Sequence, residues 1–140
     1  MKLKEWRSLQ RPEYYVLNPD NETVKDTIKW LRENRKAWQT IKTLAFEKAE
    51  KTSSKISISH LIEVVRWELE HIKIANAYKP VIARILEYKF PEALGGRFTK
   101  AKSDTEMIAT TKLEKQMTIN NILASLDDYY IDNGQMRMVV

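Results

Sequence analysis

The chain holds 140 residues, with 24 Lys+Arg against 19 Asp+Glu, two His, three Gly and no Cys. That length suits one domain with a true core, and the missing Cys exclude disulfide scaffolds, thiolate metal sites and thiol catalysis. Three Gly argue against Gly-rich phosphate loops, no apolar run approaches the roughly 20 residues that span a bilayer, and the opening MKLKEWRSLQ lacks the apolar stretch of a secretory signal, so a cytoplasmic protein without a membrane partner is expected.

Residues 1–20 read as a packed arm. Pro12 and Pro19 oppose helix, Trp6, Leu9, Tyr14, Tyr15, Val16 and Leu17 supply apolar contacts, and Glu13–Leu17 suits a short extended piece. A long helix is predicted from Thr23 to Lys51, capped by Asp20, Asn21 or Thr23. Val24, Ile28, Leu31, Trp38, Ile41 and Ala45 form its stripe at helical spacing, with Trp30 and Leu44 in a flanking row. The polar run RENRK marks a bend near Asn34.

A second helix is predicted from Ser57 to Ile74. Ser57 is its N-cap, and Ile56 and Leu61 stand at the spacing of a hydrophobic staple. Ile58, Leu61, Ile62, Val65, Leu69 and Ile72 make its buried face. A third helix follows from Asn76, its cap, to Phe90. Pro80 falls in its first turns, where a missing N–H costs least, and Pro91 stops it or opens a short turn to Gly95-Gly96.

In GGRFTKAKSDTEMIATTK, Phe98–Lys100 and Met107–Thr110 are expected to pair as a small hairpin across Ser103-Asp104, with a loop as the alternative. A fourth helix is predicted from Thr111 to Tyr130, then a turn at Asn133-Gly134. The apolar end, QMRMVV, either pairs as an edge strand or packs on a partner, a second copy included.

Chemistry-bearing motifs are sparse. His60 and His71 are 11 residues apart, about 16 Å along one helix, too far to share a metal. Asp127 and Asp128 are adjacent and diverge on a helix. No convergent titratable set emerges, so no catalytic residue, metal or cofactor is expected. Charge is uneven. Residues 1–102 hold 21 Lys+Arg and 13 Asp+Glu, net +8, whereas residues 103–140 hold 3 and 6, net −3.

Three helices followed by a basic Gly-containing turn suggest a mainly α, winged-helix-like domain of about four helices that binds DNA. The third helix would enter the major groove and present Asn76, Tyr78, Lys79, Arg84 and Lys89. A wing of Arg97, Lys100 and Lys102 would touch phosphates. A plain helical domain with a solvated basic loop shares the same core. Arg66, Trp67 and Glu68 carry two readings. In the first, Trp67 is a half-buried plate against Arg66 or Arg84, with Glu68 paired to an arginine. In the second, the three form a partner-binding patch, since Trp and Arg are enriched among hot spots.

One ordered set of residues spans about residues 37–102. It comprises Phe46-Glu47, then Ile62-Glu63-Val64-Val65-Arg66-Trp67-Glu68, Asn76, Tyr78, Ala83-Arg84, Pro91-Glu92 and Arg97-Phe98. In this set the chain resembles a family of small uncharacterised proteins of phages, prophages and other mobile elements. The family often has paired asparagines before the tyrosine, where this chain has only Ile74-Ala75-Asn76-Ala77. The resemblance implies a mobile-element origin and action in a host cytoplasm. Two function classes are expected from the residues: a small non-enzymatic DNA-binding protein, or a protein-binding module that inhibits or redirects a host or defence protein or serves as a virion or assembly component.

Overall fold

The computed structural model describes residues 16–99, 108–110, 114–127, 129–132 and 135–138. The fold is mainly α. In chain order the described elements are β1 (Val16–Leu17), α1 (Glu22–Glu33), α2 (Arg35–Lys51), α3 (Ile58–Glu68), α4 (Tyr78–Lys89) and α5 (Pro91–Leu94). Then come β2 (Ala109–Thr110), α6 (Glu114–Leu123), a 3₁₀ turn (Ala124–Leu126), β3 (Tyr129–Asp132) and β4 (Gln135–Met138).

The long first helix is two helices that meet at the predicted bend. Asn34 donates to the Trp30 carbonyl twice, from its backbone N–H at 2.9 Å and from its side-chain amide at 2.8 Å. Its backbone leaves the helical region (φ −125°, ψ 62°), and α2 restarts one residue on. The Asn21 side chain caps α1 by accepting from the Val24 N–H at 3.1 Å. Beside it, Asp20 takes a hydrogen bond from Lys115 at 2.6 Å, which ties the start of α1 to α6. That hydrogen bond, and then the charge of Lys115, hold the Asp20 carboxyl below its ordinary value. The small stabilisation is therefore present above the unfolded carboxylate range and lost as the pH falls through the lowered one.

The cap and staple of α3 form as the sequence suggests. Ser57 Oγ accepts from the His60 N–H at 3.2 Å, and Ile56 and Leu61 are both buried. α3 ends at Glu68, six residues short of the predicted Ile74. α4 begins at Tyr78 with Ala77 at the N-cap, and Asn76 makes no capping bond.

α4 occupies the middle of the molecule. Val81, Ile82, Ala83, Arg84, Ile85 and Leu86 are consecutive and all buried. A helix covered all round lies inside a fold, whereas a surface helix shows an apolar stripe and a polar face. α1, α3, α5 and β1 pack against it. From α6 and the residue after the 3₁₀ turn come three polar ties. Tyr88 Oη meets Asn120 Oδ1 at 2.6 Å, and Lys89 Nζ donates to the Leu123 carbonyl at 3.2 Å and to Asp127 at 2.5 Å. Of the third-helix residues expected to read a groove, Arg84 is buried against its own turn and Lys89 is held by the C-terminal part, while Tyr78 and Lys79 are half-buried.

Among the described residues the expected hairpin is not seen: Phe98 and Ala109–Thr110 pair elsewhere. Phe98 bridges Ile56 in parallel fashion, with Ile56 N–H to Arg97 O at 2.7 Å and Thr99 N–H to Ile56 O at 3.1 Å. Ala109–Thr110 pairs antiparallel with Val16–Leu17. The physical reason is burial. Phe98 is only 1% exposed beside the Ile56 staple, whereas a projecting ribbon would have held it in water. Met107 and the Ser103-Asp104 turn lie outside the described residues.

The fourth helix also stops early. After the 3₁₀ turn the chain becomes strand, and β3 pairs with β4 from Tyr129↔Met138 to Asp132↔Gln135. The Tyr-Tyr-Ile run favours strand, and Asn-Gly between the strands is a strong hairpin signal. The apolar end thus takes the edge-strand alternative over Gln135–Met138.

The C-terminal part is fastened to α2. Trp38, fully buried, donates its indole N–H to the Leu126 carbonyl at 2.9 Å, and Arg35 donates to the Ser125 carbonyl at 2.8 Å. Trp38→Phe keeps most of the apolar contact and strands a buried carbonyl. It is expected to cost about 1–3 kcal/mol, measured by urea unfolding.

Candidate partner-binding cleft

The end of α3 is built to present a side chain. Leu69 is its C-cap, and the next two residues, Glu70 (φ 55°) and His71 (φ 66°), are left-handed. The His71 N–H returns to the Arg66 carbonyl at 2.6 Å and the Glu70 N–H to the Trp67 carbonyl at 3.4 Å. These are the two reversed hydrogen bonds of a left-handed helix cap, in which Gly normally occupies the position held by Glu70. The conformation costs roughly 1–2 kcal/mol per non-Gly residue.

Arg66 offsets part of that cost by stapling the turn that follows. Its guanidinium bonds the Glu63 carboxylate, the Ile74 carbonyl and Asn76 Oδ1. The turn is thereby folded over, with Ile74 buried beneath it.

Trp67 stands on this platform and is 70% exposed. Its indole meets the His71 ring edge-on, centroids 4.6 Å apart. Across from it Trp30 of α1 and Tyr78 of α4 form a second aromatic pair at 6.2 Å, tilted by 53°. Both pairs line an open cleft of about 630 Å³, and Lys73 lines it too. The half-buried plate expected for Trp67 is not what forms: its ring partner is His71, and Arg66 pairs with Glu63.

The predicted partner-binding residues divide. Arg66 and Trp67 line the cleft, while Glu68 faces a smaller hollow beside the α1–α2 joint, together with Glu70 and Lys36. The predicted DNA-contacting residues scatter. Tyr78 lines the aromatic cleft. Asn76 and Lys79 border a separate depression of about 550 Å³ between the starts of α3 and α4. Arg84 donates to the Pro80 carbonyl at 3.3 Å. Arg97 reaches the carbonyls of Ala49, Thr52 and Ser54 and so closes the C-terminal end of α2. Lys100 and Lys102 lie outside the described residues.

Trp30, His71 and Lys73 belong to the cleft and were absent from the sequence reading of the site. A signal for His71 existed: it follows Trp67 by four residues, a spacing at which side chains on a helix meet. Among the described residues no group of His, Asp and Glu is placed to hold a metal ion, and no helix is long and apolar enough to cross a membrane.

No protein-family profile, no curated protein and no solved structure matches the chain. The likeness to mobile-element proteins therefore rests on its own residues.

Glu70→Gly is expected to stabilise the protein by about 0.5–1 kcal/mol, because the relieved left-handed strain exceeds the added unfolded-state entropy. Thermal and urea unfolding of the exposed-site variant measure it, and a destabilised variant would contradict the strained-cap account.

Proposed function

We propose that this protein is a non-catalytic binding module whose contact residue is Trp67. One observation carries the reading: a large indole left in water on the last turn of α3, beside a chain reversal held by Arg66. Exposed apolar groups of this size mark contact sites when they are clustered and rigidly held. A pre-ordered turn also lowers the ordering cost of association. The arrangement of Trp67, Tyr78 and Arg66 matches the residue types that dominate binding hot spots.

The partner is a protein. If the chain comes from a phage or another mobile element, as its Arg66-Trp67-Glu68 and Pro91-Glu92 pieces suggest, that partner is a host or phage protein and the setting is the host cytoplasm. The test is capture of partners from nuclease-treated host lysate by the full chain. Trp67→Ala should weaken capture at least about 30-fold, the equivalent of roughly 2 kcal/mol for a hot-spot residue, with unfolding behaviour unchanged. Equal capture by both proteins would remove Trp67 from the contact.

A second reading, DNA binding, is favoured by the net +8 of residues 1–102 and by Lys79 and Asn76 beside the starts of α3 and α4. Here the contact is to phosphates and needs no groove-inserted helix. Its measure is affinity for a generic duplex across a salt series. Each lost phosphate contact lowers the slope by about 0.9, so Lys79→Ala should do so once. A salt-independent signal argues against this reading.

A further inference from the structure

The turn after α3 sorts charge as well as shape. Ile72 borders the space on both of its sides. On one side stand Glu68 and Glu70, with Lys36 across the hollow. On the other, the cleft holds Glu63, Arg66, His71 and Lys73 beside its aromatic walls. The Glu63 carboxylate is already answered by Arg66. Lys73 is exposed and has no ion pair among the described residues. The cleft is therefore lined by aromatic side chains and by Lys73, whose charge no carboxylate among the described residues pairs, while Glu68 and Glu70 line the hollow on the other side.

We propose that the cleft accepts a short acidic peptide segment of the partner, an apolar or aromatic side chain entering beside Trp67 while a neighbouring Asp or Glu meets Lys73. The inference rests on the binding-module reading and specifies its partner. The anchor removes the exposed indole face from water, as hot-spot residues do when they fill a partner's pocket. The carboxylate adds selectivity and encounter rate more than affinity. A basic segment would meet Lys73 with like charge, and the side of the turn that could welcome it lacks the aromatic walls. A single-stranded nucleic acid could stack a base on Trp67, but such binders combine stacking with a positively charged groove that follows the backbone. Among the described residues lining the cleft, Lys73 is the one Lys or Arg without an ion pair.

The experiment is selection of a random displayed-peptide library on the immobilised full chain, with Trp67→Ala and Lys73→Glu chains in parallel and oligo(dT) as a separate fluorescent probe. Both positions are exposed, and urea unfolding of each variant confirms an intact fold. The expected result is enrichment of peptides with Asp or Glu next to Trp, Phe or Leu. That enrichment should vanish on Trp67→Ala, and affinity for the selected peptides should fall about fivefold on Lys73→Glu. Enriched peptides that are basic or uncharged, or acidic ones indifferent to Lys73→Glu, overturn the assignment. So does oligo(dT) binding that needs Trp67 without any peptide enrichment. If capture from lysate still depends on Trp67 while the selected peptides lack acids, the module reading stands and only the acidic class falls. If neither capture nor selection responds to Trp67→Ala, both fall together.

Discussion

Six successive buried residues in α4 set the terms for the rest of the fold. A run that buries five apolar side chains around the whole helix must be walled in, because each aliphatic side chain left in water forgoes roughly 1.5–3 kcal/mol. α1 and α3 supply two walls, and β1 and α5 supply others. The polar ties of Tyr88 and Lys89 bring the C-terminal segment to the remaining side. With α4 covered, Arg84 bonds within its own helix and Lys89 is taken by the C-terminal part, while Lys79 stays at a surface depression.

The helical class and much of the core were legible from spacing. Val24, Ile28, Leu31, Trp38, Ile41 and Ala45 read as one stripe and are all buried. The bend at Asn34 and the Ser57 cap with its staple could also be read, because their causes are local: a polar run, a hydroxyl in front of an apolar period. What could not be read depends on non-local partners. Phe98–Lys100 and Met107–Thr110 look like two halves of one hairpin. Nothing in their own residues says that Phe98 will sit beside Ile56, or that Ala109–Thr110 will sit beside Val16–Leu17. A similar gap hid the nature of α4. Its Arg and Lys residues suggest a wet face, yet Arg84 turns back on the Pro80 carbonyl and Lys89 is taken by Leu123 and Asp127.

The cleft was half legible. Arg66-Trp67-Glu68 drew attention as a residue set, yet one helical turn cannot tell a plate from a projecting ring. The deciding element is the left-handed pair Glu70 and His71, and neither residue type announces that conformation as Gly would. Without the reversal, α3 would continue through Ile72 as the apolar period suggests. Trp67 would then lie along a helix flank, with no facing wall from Trp30 and Tyr78.

The fastening of the C-terminal part to the first two helices has a kinetic side. Asp20 reaches Lys115 across 95 positions of chain, Trp38 reaches Leu126 across 88, and Arg35 reaches Ser125 across 90. Contacts so distant in sequence carry a large loop-closure entropy and are gained after the local helical pairs. The clasp therefore raises the contact order of an otherwise locally connected helical fold, which slows folding relative to a bundle joined by neighbouring helices alone.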